Sequence, residues 1–141
     1  MKRLEVAVRV EWQGGLRFTG VNSDGTSTTI DATDVQGRPA GVTPMQLLLM
    51  GLGGCTGIDI VNILAKQRQN LSALTMSITG ERRSEAPRYY ESIHVEYVLK
   101  VSDLEERKIR RAIQLSEEKY CSVRAMLKDK ARITSSYKIA Q

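Results

Sequence analysis

The chain has 141 residues, a net charge of +5, two cysteines and one histidine. That length suits a single domain, residues 1–141, with a core of its own. The cysteine and histidine inventory is too small for a closed four-ligand zinc site, and the mild basic excess reads as a solvated surface. From the N-terminus, Leu4-Glu5-Val6-Ala7-Val8-Arg9-Val10-Glu11-Trp12 alternates strictly, which predicts a half-buried strand with Leu4, Val6, Val8, Val10 and Trp12 on one face. Gln13-Gly14-Gly15 is a turn, and Leu16 to Thr19 or Gly20 returns as a second strand. Asn22-Ser23-Asp24-Gly25 turns again before a third strand over Ser27 to Ala32, and Asp34 to Val42 is a loop.

Thr43 to Arg68 is the stretch around which the rest is organised. Thr43, Pro44 and Gln46 form a capping-box start, with proline at the first helical position. From Met45 to Leu64 the segment is apolar on nearly every side, so a long central helix buried in protein is expected. Asp59, Asn62 and four glycines (Gly51, Gly53, Gly54, Gly57) argue against a lipid-facing span. Glycines inside a helix imply that something approaches its backbone closely. Covering so apolar a helix in a chain of this size calls for a second copy, so a homodimer through it is expected.

Leu74, Met76 and Ile78 alternate with polar residues in a fourth strand, Glu81 to Arg88 is a loop, and Ile93 to Val101 alternates in a fifth. Ser102-Asp103-Leu104-Glu105 has the capping-box pattern ahead of a helix closed by Lys119 and Tyr120. A short helix from Cys121-Ser122 to Leu127 and a last strand through Ile133, Tyr137 and Ile139 complete the order βββ-α-ββ-αα-β. That order means an α+β fold with mostly antiparallel sheets.

Two residues have the setting of reactive thiols. Cys55 lies among glycines in the central helix, and Cys121 lies at a helix start, where free N–H groups favour thiolate. The plainer alternative is that both are small buried hydrophobes. No charged n-region followed by an apolar h-region opens the sequence, so the expectation is a cytoplasmic protein whose thiols are free or only transiently paired. His94 shares a strand face with Ser92, Glu96 and Lys100 and is expected to face solvent, not to act as a base. The basic residues between Arg107 and Lys130 are expected on the wet side of a helix. Gly51-Leu52-Gly53-Gly54 matches the G-x-x-G of RNA-binding loops only formally, because it sits inside an apolar run.

PMQLLLMGLGGCTGIDIVNILAKQR and EKYCSVRAML resemble the OsmC/Ohr family of thiol peroxidases, in particular its YhfA-like branch of small redox proteins. The resemblance implies an OsmC-like fold in an intertwined homodimer, with Cys55 as the peroxidatic and Cys121 as the resolving cysteine. It implies an organic hydroperoxide as substrate, a dithiol reductant, and no cofactor, metal, nucleic acid or membrane partner. The family's arginine beside the thiol matches Arg38, with Arg17 as the alternative. The sequence departs from the family where a glutamate follows the helix-starting proline. Met45 stands there, followed by Gln46, whose plainer role is the capping box. Met45, Gln46 and Leu49 are then the candidate substrate-binding residues. Thiol-dependent reduction of organic hydroperoxides is the leading reading. A non-catalytic binder of apolar ligands, or a redox sensor on the same fold, is the alternative that the missing glutamate motivates.

Overall fold

A computed structural model of the chain describes residues 3–32 and 39–140. The chain divides into two compact units, Met1–Leu48 and Leu49–Gln141.

The first unit holds a three-stranded antiparallel sheet of β1 (Val8–Trp12), β2 (Phe18–Asn22) and β3 (Ser27–Ile30), in that order. Its two turns follow from their residues. Gly14 and Gly15 adopt the positive φ (100° and 55°) that glycine accepts without strain. The side-chain oxygen of Asn22 accepts the N–H groups of Asp24 and Thr26, both at 3.0 Å. The first strand is shorter than its alternation predicts. Val8 pairs with Asn22, where the chain turns away, so the neighbouring strand has nothing left to pair with Leu4 to Ala7. Nor is its apolar face half-buried: Leu4 is 90% and Trp12 67% exposed.

Helix α1 runs from Pro44 to Lys66, and Arg68 at φ 56° ends it. The capping box forms as read from the sequence, with Thr43 N–H on Gln46 Oε1 at 2.9 Å and Gln46 N–H on Thr43 Oγ1 at 3.2 Å. The helix is buried on one stripe, Leu52, Thr56, Ile60 and Leu64 with Gly53 and Gly57, rather than all round. Leu48, Met50, Ile58 and Val61 are exposed. By length and composition α1 is apolar enough to cross a membrane, but its buried stripe lies against β4. A Cβ on Gly53 would come 2.7 Å from Ile78 Cδ1, and one on Gly57 2.8 Å from Met76 Cε. These two glycines carry the expected close approach, whereas Gly54 faces open space.

The second sheet is β4 (Asn70–Arg82), β5 (Tyr90–Ser102) and β6 (Arg132–Ile139). β4 and β5 pair antiparallel over nearly their whole length; β6 runs parallel to β5. Such a parallel return needs a crossover, here α2 (Glu106–Leu115), a π-helical turn (Ser116–Tyr120) and α3 (Ser122–Leu127). Alternate residues of β5 (Ile93, Val95, Tyr97, Leu99) form the centre of the core with Ile109 and Ala112 of α2. The predicted Ser102–Glu105 capping box does not form. Asp103 turns left-handed at φ 54°, and the Glu105 N–H is taken at 3.0 Å by Gln69 Oε1, just past the end of α1.

Candidate functional site

Thr56 belongs to the buried stripe of α1 and is only 2% exposed; its neighbour Cys55 is half-buried. The second thiol is brought to them by an irregularity. In an α-helix the Cys121 N–H would bond the carbonyl four residues back, but it bonds Ser116 O, five back, at 2.8 Å. The fully buried Ser116 also donates its hydroxyl to Asp59 Oδ2 at 2.8 Å, tying the π turn to α1 one helical turn beyond Cys55. Asp59 therefore spends a carboxylate oxygen on the π turn.

Cys121 then caps α3 in extended conformation, and its Sγ accepts the Arg124 N–H at 3.4 Å. Thr56 Oγ1 lies 3.3 Å from the same sulfur. Burial pushes the Cys121 thiol up from its ordinary value. The Thr56 hydroxyl and the Arg124 N–H pull it back, and the adjacent Cys55 thiol pushes it up again. Cys55 and Cys121 are thus interacting neighbours, both reduced.

A charged chain flanks the second thiol. The Arg124 guanidinium lies 3.7 Å from Glu117 Oε2 and donates to Ile133 O at 3.4 Å. Tyr97, buried on β5, donates its hydroxyl to the same carboxylate oxygen at 2.7 Å. Burial, and then the Glu117 carboxylate, push the Tyr97 phenol strongly up, so it stays a donor. Glu117 precedes Cys121 by four residues and Arg124 follows it by three, so the ion pair closes across the cysteine. Arg124 was expected on the wet face of a helix; Glu117 and the Ile133 carbonyl draw it inward, leaving its side chain 18% exposed.

The other residues singled out in the sequence fall as follows. Arg38 lies outside the described residues. Arg17 belongs to the first unit, where its Nε is 3.8 Å from Asp31 Oδ2. The Asp31 carboxyl is held below its usual value by the N–H groups of Ala40 and Ala32, and then by Arg17. Met45 and Gln46 lie in the first turn of α1, with the Gln46 side chain engaged in the cap. Leu49 is half-buried on α1, six residues before Cys55. His94 is exposed, its ring nitrogens 2.7 Å from Thr134 Oγ1 and 3.1 Å from Ser136 Oγ, in keeping with a solvent-facing strand histidine. The sequence reading does not mark Thr56, Glu117, Arg124 or Tyr97 as site residues. Only the three chain neighbours of Cys121 and Cys55 had any signal there, their nearness in sequence to a cysteine.

Fold and thiols together define an α+β protein whose long helix presents one cysteine to a second at the start of a later helix. The chain belongs to the OsmC-like protein family, whose sequence profile matches residues 35–136. "Protein YhfA" of Escherichia coli is 40% identical over 131 residues, spanning 93% of this chain and 96% of that protein. Among solved structures, a hypothetical protein from Aquifex aeolicus superposes with a TM-score of 0.83 at 33% identity, covering 99% of this chain and 100% of that one. The organic hydroperoxide resistance protein OhrB of Bacillus subtilis superposes with a TM-score of 0.63 at 18% identity, covering 96% and 98%; that likeness is one of fold. The α+β architecture and the YhfA-like affinity read from the sequence both hold.

Proposed function

We propose that this chain acts as one domain that reduces organic hydroperoxides with Cys55 and Cys121, in a reducing, cytoplasmic setting. The observation that carries the reading is the meeting of the two thiols, 66 positions apart in sequence, with Thr56 and Cys121 in hydrogen-bond contact. The thiolate of Cys55 attacks the terminal peroxide oxygen, the O–O bond breaks, and the alkoxide leaves as alcohol after taking a proton. Cys55 is then a sulfenic acid. The Cys121 sulfur attacks it, water leaves, and a Cys55–Cys121 disulfide remains. A dithiol returns the pair to thiols and becomes a disulfide itself.

Met45, Gln46 and Leu49 are assigned to the substrate, and Arg38 to the charge developing on the peroxide. The apolar side chains favour alkyl over hydrogen peroxide, each buried CH₂ contributing about 0.8 kcal/mol. The exposed Met50, Ile58 and Val61 on α1 support a homodimer, which light scattering would register as twice the chain mass.

Cumene hydroperoxide added to reduced protein is expected to give the internal disulfide, read by peptide mapping. Cys121→Ser is expected to stop at sulfenic acid on Cys55 and drift to sulfinic acid, and Cys55→Ser to leave Cys121 unreacted. Equal reactivity of the two single variants would end the assignment of roles. Met45, in place of an acid that would hold the arginine, supports a second reading as a redox sensor with slow turnover. Met45→Glu accelerating the reaction of Cys55 would favour the peroxidase; an unchanged slow rate would favour the sensor.

A further inference from the structure

We infer that Thr56 is a positioning residue for regeneration: with the Arg124 N–H it holds Cys121 as the departing thiolate, so that the incoming thiol attacks the sulfur of Cys55. The inference rests on the two-thiol cycle proposed above and names a direction within it.

The two sulfurs are unequal targets. Cys55 is half-buried, whereas Cys121 is 5% exposed beneath the π turn and α3. An external thiolate therefore reaches Cys55 Sγ more readily. Thiol–disulfide exchange is also faster when the sulfur that leaves is stabilised as a thiolate. Among the described residues, two N–H or O–H groups lie within hydrogen-bond reach of a thiol, and both converge on Cys121: Thr56 Oγ1 at 3.3 Å and the Arg124 N–H at 3.4 Å. A thiolate has no proton to give, so once Cys121 is ionised the Thr56 hydroxyl must be the donor. Burial alone would make Cys121 a poor leaving group; the two donors offset that penalty at the sulfur that must depart. Glu117, Arg124 and Tyr97 fix the turn that carries it.

The step balances as follows. The thiolate of a dithiol attacks Cys55 Sγ, the Cys55–Cys121 bond breaks, and Cys121 leaves as thiolate under Thr56. The second thiol of the reductant attacks its own sulfur in the mixed disulfide and expels the Cys55 thiolate. The reductant ends as a disulfide, and its two protons end on Cys55 and Cys121.

The test starts from full-length protein oxidised with diamide, so that it does not depend on peroxide chemistry. Brief exposure to glutathione, acid quenching and peptide mapping are expected to place the first adduct on Cys55. Thr56→Val, which keeps shape but loses the hydroxyl, is expected to slow reduction by dithiothreitol about tenfold, the scale of one charge-assisted hydrogen bond partly lost. Thr56→Ser is expected to recover the rate to within about twofold, a rescue that a packing role alone would not give. An adduct on Cys121, a wild-type rate in Thr56→Val, failure of Thr56→Ser to rescue, or no disulfide with diamide would each overturn the inference. If Thr56→Val does not fold, the position of the wild-type adduct decides alone. Normal behaviour after diamide with no response to cumene hydroperoxide would refute the peroxidase reading and leave this one standing. A hydroperoxide-driven disulfide with glutathione on Cys121 would do the reverse.

Discussion

The two sheets carry equally clean alternation and come to opposite ends. In β5, Ile93, Val95, Tyr97 and Leu99 are buried beneath α1 and α2, with Leu99 at 0% exposure. In the N-terminal segment, Leu4, Val6, Val8, Val10 and Trp12 alternate as regularly and all stand exposed. Period-two patterning specifies that a face wants cover; it does not say what covers it. In β5 the cover is the protein's own helices. On the first sheet the same alternation stays exposed.

The sharpest way to break this contrast is truncation on each side of it. Leu99→Ala is expected to cost about 3 kcal/mol in urea unfolding, as buried leucines do. Val10→Ala on the exposed face is expected to cost less than about 0.5 kcal/mol in a dilute single chain. A cost at Val10 approaching that at Leu99, and rising with protein concentration, would show that the first sheet is covered in solution after all.

Chemistry gives a middle-sized effect. Burial favours the protonated Cys121 thiol in the folded state. Alkylation of Cys121 by iodoacetamide at pH 8 is expected to run about tenfold slower than that of a small free thiol. It should gain only as pH passes the ordinary value of 9.0. The sign for stability follows: a group whose folded pKa is raised contributes below its unfolded value, so that contribution is lost as pH climbs beyond 9.0. A Cys121 as reactive as a free thiol at pH 8 would mean that the second unit opens at this point.

The smallest effects come from two glycines side by side on α1. Gly53→Ala would drive a Cβ into Ile78 and is expected to cost about 1 kcal/mol, overpacking exceeding the gain in helix propensity. Gly54→Ala enters open space and is expected to stabilise by about 0.5–1 kcal/mol. If Gly54→Ala destabilised instead, the outer face of α1 would be in contact with another molecule.

What the sequence made legible was whatever is decided within a few residues. The Thr43–Gln46 cap, the Asn22–Gly25 turn, the helix start at Cys121 and the strand of Ile93 to Leu99 all rest on neighbours in the chain. The Ser102–Glu105 cap failed because Gln69, 36 positions away, offers a competing acceptor to Glu105. Alternation overstates the length of β1 because its limit is set by where β2 turns. Each thiol's setting is legible in its neighbours, whereas the pairing of Cys55 with Cys121 follows from the family resemblance and not from spacing. Thr56, Glu117 and Arg124 stayed hidden because their meaning lies in contacts across the fold, and a Glu–Arg pair beside a cysteine reads as ordinary helix surface until Tyr97 is seen beneath it.

The π turn before Cys121 amounts to one residue more than an α-helical ladder would need. Removing a single residue from Ser116–Tyr120 would let the ladder close in the ordinary way. Everything after it would then rotate by roughly 100° about the helix axis. Cys121 would swing off Thr56 without any change in which side chains the protein possesses. The pairing of the thiols is therefore as sensitive to the length of this five-residue segment as to its composition. Glu118 and Lys119 within it are exposed, so exchanging them would leave that length intact.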